Sequence, residues 1–309
     1  MATAQVLEGE AEFQVPGVNI TCKTWYKVIG DLKSHSRPLV ALHGGPGVTS
    51  EYLEILTDIT NPRSSALVVY DQIGNGRSTH LPEKIGDDSF WTEKLFLDEL
   101  DNVLNHLGIQ DNYDLLGHSW GGMLGARHAV QGPSGLKQLV LMSTPSDVPT
   151  LWTQAQQVWL SQLPQETQEI LIQSELNGTT NSQEYQDAVA YYRSLHLCTI
   201  DPMPAAIAAG FEAINKDPTV YLTTFGPTFF NVTGSFKNWS ILSEASAIRV
   251  PTLVTNGKVD EVAESVVQPF LKEIPTVKWV QFEHSSHMAH YEERERFMEV
   301  VGEFLGPGF

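Results

Sequence analysis

Cysteine is nearly missing: the 309 residues hold two, Cys22 and Cys198. Two thiols cannot build a disulfide framework or a cysteine-rich zinc site. Long apolar runs are missing too. No stretch of about eighteen apolar residues occurs, which excludes a helix of membrane-spanning length. The opening MATAQVLEGEAEFQV has neither a basic segment nor an apolar core, so no secretory signal is expected. The Asn-x-Ser/Thr triplets at Asn19, Asn177, Asn231 and Asn238 then read as chance matches, and the expected location is the cytoplasm. Positive charge is scarce: 19 Lys and Arg face 37 Asp and Glu, a net charge of −18. Such a surface repels phosphate backbones and anionic lipid, so neither nucleic acid nor a membrane is an expected partner.

Several motifs are also missing. The glycine-rich DQIGNGRS at 71–78 lacks the Lys-Ser/Thr of a phosphate-binding loop. No G-x-G-x-x-G opens a helix after the first buried strand, which argues against a dinucleotide site. Neither H-E-x-x-H nor a close His/Asp ligand set occurs, so no metal and no cofactor are expected. Apolar material is plentiful: hydrophobic residues make up 41%, with seven Trp, nine Tyr and thirteen Phe. That composition supplies a core, and the length suits one large α/β domain or two domains.

Residues 12–15 and 18–28 alternate polar and apolar, the pattern of one or two antiparallel strands. Short unalternating apolar runs follow: PLVAL at 38–42, ALVVY at 66–70, YDLL at 113–116, QLVLM at 138–142, PTLVT at 251–255 and VKWVQF at 277–282. Runs of this kind suit strands buried on both faces of a parallel sheet. Helical periodicity lies between them at 91–107, 119–130, 264–274 and 291–305. The alternation predicts a mostly parallel, doubly wound α/β sheet. Residues 145–247 break it with helical patterns at 150–163, 165–176, 182–197 and 204–216 and no buried strand. We read 1–144 and 248–309 as the sheet domain and 145–247 as a helical cap over the carboxyl ends of the strands, where such sheets bind ligands.

Gly117-His118-Ser119-Trp120-Gly121 is a G-x-S-x-G motif between YDLL and the helical GMLGARHAV. A serine in that strand–turn–helix context is displayed above the sheet at a helix N-terminus. Its hydroxyl needs a base, and the base needs a carboxylate to orient it. PTLVT is followed by Asp260 and Glu261, and VKWVQF by His284, His287 and His290. Asp260 is the expected acid, with Glu261 as the fallback. His287 is the expected base, because His284 lies too near the strand end and His290 begins the last helix. An oxyanion hole takes one backbone N–H from the residue after the nucleophile, Trp120, and one from an earlier strand-end loop. His43-Gly44-Gly45-Pro46-Gly47 follows PLVAL at that place, and Gly45 is the expected donor, with Gly44 next. Asp71 and Arg77 of DQIGNGRS are expected to pair and brace the neighbouring glycine loop.

The segments HGGPG (43–47), DQIGNGRS (71–78), GHSWGG (117–122), GKVDE (257–261) and HSSHMAHYEERERF (284–297) together resemble the α/β-hydrolase superfamily, and within it the proline iminopeptidase branch with its related amino-acid amidases. The resemblance implies the α/β-hydrolase fold, a Ser119/Asp260/His287 triad, an oxyanion hole from Gly45 and Trp120, a helical cap and no cofactor. Members of that branch carry a glutamate for the substrate's free α-amine in a motif similar to N-G-P-x-E-F. Here the stretch is Phe225-Gly226-Pro227-Thr228-Phe229-Phe230, with Phe229 at the glutamate position, and Cys198-Thr199 stands where a Cys-Arg pair is expected. The cap is rich in aromatics, and Phe225, Phe229, Phe230 and Tyr191 are the expected substrate-binding residues. The function expected is a serine hydrolase cleaving an ester, lactone or amide of a small, largely hydrophobic molecule. Two alternatives stand beside it: an iminopeptidase-like aminopeptidase or amino-acid amidase, and a non-hydrolytic lyase, cyclase or ligand-binding protein on the same fold.

Overall fold

The computed structural model describes residues 5–306. Eight strands form one sheet: β1 (Val6–Phe13), β2 (Cys22–Ile29), β3 (Leu39–Leu42), β4 (Leu67–Tyr70), β5 (Tyr113–His118), β6 (Leu136–Met142), β7 (Thr252–Gly257) and β8 (Val277–Phe282). Their order is β1-β2-β4-β3-β5-β6-β7-β8. β1 pairs antiparallel with β2, and β2 antiparallel with β4. From β4 to β8 every pairing is parallel. The mostly parallel sheet expected from the apolar runs is therefore present. Every residue of β3, β4, β5 and β7 is buried, because helices cover both faces. The first hairpin differs in detail from the alternating segments. Residues 14–21 form its turn, so Val15 and Val18 lie between the strands instead of within them.

Glu93–Leu107 and Trp120–Val130 supply two of the covering helices. The first begins at an N-cap, Thr92, whose side chain accepts the Leu95 N–H, and ends at Gly108 in the left-handed region. The last periodic segment, read as one helix, is two pieces, Ala289–Glu292 and Arg294–Phe304, broken at Glu293. The Glu293 carboxylate instead holds the His284 N–H and the Ser285 hydroxyl, which shapes the loop after β8.

Between β6 and β7 the chain is helical: Thr153–Ser161, Gln165–Asn177, Gln183–His196, Ala205–Lys216 and the short Thr219–Thr224, which the sequence pattern had not distinguished. Tyr192, Phe230, Leu171, Tyr185 and their neighbours give these helices an apolar core of their own. The insertion seats on the glycine loop after β3. A side chain at Gly47 would crowd Ile214 and Tyr221, and one at Gly210 would crowd Val48, so small residues set how closely the two layers approach.

Candidate active site

The strand-end loops converge on one cavity, of about 800 Å³ with its mouth included. Gly44, Gly45, Ser119, Glu261 and His287 form its floor; Trp152, Arg193, Phe211, Tyr221, Phe225 and Phe229 are among the residues that roof it.

Ser119 sits at the turn between β5 and the helix Trp120–Val130 with φ 56° and ψ −120°. A non-glycine residue at positive φ is strained, and the packing around it must hold it there. Glycines make that possible. A Cβ at Gly117 would collide with the Gly121 backbone, and one at Gly121 with the Leu42 carbonyl. The elbow is thus pressed between β3 and its own helix, with the serine side chain left half-buried at the cavity.

His287 is buried and its Nδ1 lies 2.7 Å from Asp260 Oδ1. Asp260 is held in turn by the Val262 N–H at 2.8 Å and the Gly257 N–H at 3.2 Å. The carboxylate therefore receives Nδ1–H, which leaves Nε2 as the basic nitrogen. Nε2 faces Glu261 Oε1 at 3.6 Å. No Ser119–His287 hydrogen bond forms among the described residues; the two side chains meet as walls of one cavity. Burial pulls the His287 pKa down, but the Asp260 and Glu261 carboxylates and the Asp260 hydrogen bond outweigh it, and the net shift is upward. His284 is on the outside, while His290 is buried and its pKa is driven down to about 3 by burial and by His287.

The two glycines offered as oxyanion donors are separated by their partners. The Gly44 N–H is already given to Tyr52 Oη at 2.8 Å. Gly45, at φ +107°, and Trp120, the first helical residue, have no acceptor for their N–H groups among the described residues. Tyr52 is a residue that sequence reasoning missed. Its Oη also lies 2.7 Å from His118 Nδ1, and His118 Nε2 lies 3.1 Å from the His287 carbonyl oxygen. A carbonyl only accepts, so Nε2 carries the proton and Tyr52 donates to Nδ1. Burial, with His287 and His290 beside it, holds the His118 pKa well below its usual value, consistent with one proton on the ring. The chain Gly44–Tyr52–His118–His287 thus links three loops around the serine.

Behind the floor, Asp71 accepts hydrogen bonds from Arg77, Ser50 and the Arg77 backbone, so DQIGNGRS is a brace as expected. The aromatic residues divide. Phe225 and Phe229 line the cavity. Phe230 does not: it is buried in the cap's own core against Tyr192 and Phe229. Tyr191 does not either; it is 44% exposed, because its direction on the helix Gln183–His196 is turned away from that of the buried Tyr192. Adjacent positions on a helix diverge by about 100°. Glu212 and Glu244, two of the acids in residues 145–247, pair with Lys216 and Arg127 and do not line the cavity. Glu261 is the cavity's carboxylate. Burial and Asp260 push its pKa up against the opposing pull of His287 and Arg193, and its Oε2 has no hydrogen-bond partner.

Among the described residues no group of three or more His, Cys, Asp or Glu side chains is placed to hold a metal ion. No helix among them is long and apolar enough to cross a membrane.

Residues 37–294 match the family model of the alpha/beta hydrolase fold. The chain belongs to the α/β-hydrolase family. Within it, the chain matches the proline iminopeptidase branch. It is 34% identical over 290 residues to the proline iminopeptidase of Clostridium botulinum, covering 92% of this chain and 94% of that protein. It is 37% identical over 289 residues to the proline iminopeptidase of Saccharolobus solfataricus, covering 94% and 89%. Among solved structures, VinJ superposes with a TM-score of 0.90 at 44% identity over 96% of this chain and 98% of that one. The proline iminopeptidase of Mycobacterium smegmatis follows at 0.86 and 36%, over 96% and 97%. This α/β-hydrolase is accordingly an enzyme that hydrolyses amide or ester bonds.

Proposed function

We propose that the hydrolase works through an acyl-enzyme on Ser119 and removes a small hydrophobic acyl group that carries a free α-amine. Ser119 attacks the carbonyl carbon. His287 Nε2 takes the serine proton and passes it to the leaving nitrogen or oxygen. Asp260 orients the ring through Nδ1 and stabilises its cationic form. The N–H groups of Gly45 and Trp120 hold the oxyanion; losing one such donor typically costs about 10²–10³ in rate. Water, activated by the same histidine, clears the acyl group. Residues 145–247 act as the cap that excludes bulk water and shapes the acyl pocket.

The observation that carries the amine is Glu261. An α-amine is one carbon away from the carbonyl under attack, so its partner must sit beside the reacting centre. Glu261 Oε1 is 3.6 Å from His287 Nε2, and its Oε2 is buried with no partner. A buried carboxylate in that state calls for a cationic or hydrogen-bonding ligand. Phe225, Phe229, Phe211, Tyr221 and Ile214 provide the apolar remainder, in keeping with a largely hydrophobic substrate. The iminopeptidase relatives, named for release of an N-terminal imino acid, agree with this reading.

The test is a panel of alanine and proline 4-nitroanilides, free and N-acetylated, with the corresponding aryl esters, assayed on the native protein and on Ser119→Ala. The free-amine compounds should be turned over, and the alanine variant should lose activity by about 10⁴-fold or more while keeping its fold. A fluorophosphonate should label Ser119. Equal rates on free and blocked substrates would remove the amine from the reading; an unlabelled, inactive native protein would remove the hydrolytic mechanism.

A further inference from the structure

The cavity holds a second charged side chain that the hydrolytic mechanism does not use. Arg193 extends from the helix Gln183–His196 into the roof. Its guanidinium carbon lies 4.8 Å from the Phe211 ring centre and 5.2 Å from that of Phe229. The guanidinium lies over the faces of both rings, where cation–π attraction is strongest. Such a contact takes up none of the five N–H donors as hydrogen bonds. Arg193 Nε is fully buried and has no hydrogen-bond partner. Among the described residues no carboxylate lies within 4.0 Å of the group. The other half-buried arginines differ: Arg37 and Arg63 reach Asp114, and Arg127 reaches Glu93. In a chain of net charge −18, the Arg193 cation lies over two rings, lines the cavity and makes no ion pair among the described residues.

We propose that Arg193 binds a carboxylate of the substrate, so that the molecule hydrolysed is an acid as well as an amine. The inference rests on the hydrolytic reading above and adds the substrate class. Three features favour a carboxylate. The planar fork of N–H groups matches two carboxylate oxygens in one plane. A single guanidinium balances a single negative charge, whereas a phosphate dianion would leave an excess charge in a cavity already holding Glu261. The two rings and the burial of Nε hold the fork in place, so little side-chain freedom is lost on binding. With Glu261 at the floor and Arg193 in the roof, the cavity is bipolar: the substrate's amine points to the reacting centre and its carboxylate to the cap. The carboxylate belongs to one of two parts of the substrate, the side chain of the acyl group or the leaving group.

The experiment has a binding arm and a kinetic arm, both on the full chain. In the binding arm, calorimetry compares 3-phenylpropionate with its neutral counterpart 3-phenylpropanamide on the native protein, Arg193→Met and Arg193→Lys. The native protein should prefer the acid by roughly tenfold or more, the usual worth of a hydrogen-bonded charge. Arg193→Met should bring the ratio to about one, with Arg193→Lys in between, since it keeps the charge and loses the fork. In the kinetic arm, kcat/KM is compared for α-glutamyl against α-glutaminyl 4-nitroanilide, and for alanyl-4-aminobenzoate against alanyl-4-aminobenzamide. The first pair places the acid in the acyl group, the second in the leaving group. An acid preference in one pair that collapses in Arg193→Met supports the proposal and says which part carries the acid. A native preference that survives in Arg193→Met would assign it to the oxyanion hole or to His287 and overturn the proposal, as would no preference in either arm. If none of these substrates is turned over and a fluorophosphonate leaves Ser119 unlabelled, the hydrolytic reading fails, and the calorimetric ratio still decides the role of Arg193.

Discussion

Glu261→Gln probes the amine reading with little change of volume. The native carboxylate is buried, with Oε2 unpartnered, beside His287 Nε2. When an ammonium group binds, this is the charge it meets. A hydrogen bond to a charged group contributes about 1.5–3 kcal/mol, and breaking a buried ion pair by removing one partner costs about 3–5 kcal/mol. Taking about 3 kcal/mol, kcat/KM for alanine 4-nitroanilide should fall about 10²-fold in the glutamine variant. The N-acetylated substrate has no ammonium to lose, so its rate should change far less. A second signature follows from the same charge. Glu261 is one of the groups that raise the His287 pKa. A raised histidine pKa means that the base is lost as pH falls through that value, so activity fails on the acid side. Removing the Glu261 charge lowers the His287 pKa, and the acid limb of the pH–rate profile should move to lower pH. Stopped initial rates between pH 5 and pH 9, at about half-unit steps with free and blocked substrates, measure both effects. An unchanged ratio of free to blocked substrate would refute the amine role. An acid limb that stayed in place would refute the electrostatic coupling to His287.

Two further outcomes are expected. Tyr52→Phe removes the hydroxyl shared by the Gly44 N–H and His118 Nδ1. It leaves two buried polar groups unpaired, at about 1–3 kcal/mol each, and frees the oxyanion loop. Urea unfolding should register the loss, and kcat should drop with KM nearly constant; unchanged stability and kcat would show that the relay is idle. Glu99 is fully buried, accepts from Thr24 and the Ile73 N–H, and has its pKa pushed up to about 8, chiefly by burial. A folded-state value above the unfolded one means that the neutral acid is favoured. The contribution is fully present below the unfolded pKa near 4.5 and is lost as pH rises through about 8. Between pH 6 and pH 9 the native protein should therefore lose about 2–3 kcal/mol from this group. Glu99→Gln should flatten that slope in urea unfolding measured at both pH values, and parallel slopes would disprove it.

Local pattern was sufficient for much of this molecule. Apolar runs of four to six residues bounded by turns read as strands buried on both faces, which holds for β3, β4, β5 and β7 but not for the edge strand β8, where only Phe282 is buried; helical periodicity between the runs argues for a parallel sheet. The G-x-S-x-G turn carries its own geometry, because Gly117 and Gly121 are where backbones touch. Position after β7 and after β8 narrowed the acid to Asp260 or Glu261 and the base to three histidines, of which Asp260 and His287 lie 2.7 Å apart. What the chain concealed are the choices between neighbours. Asp260 turns to Nδ1 of His287 and Glu261 to Nε2, although they are adjacent in an irregular loop with no period to separate them. Gly44 and Gly45 are identical as residues, and only Tyr52, coming from the next helical turn and anchored to His118, takes up one amide and leaves the other. Phe229 reaches the cavity while Phe230 fills the cap, and Arg193 meets two rings and no carboxylate. Sequence determined the elements and their order because those follow from short-range periodicity. Tertiary structure decided which of two adjacent side chains faces the reacting centre, because that depends on groups brought together from distant parts of the chain.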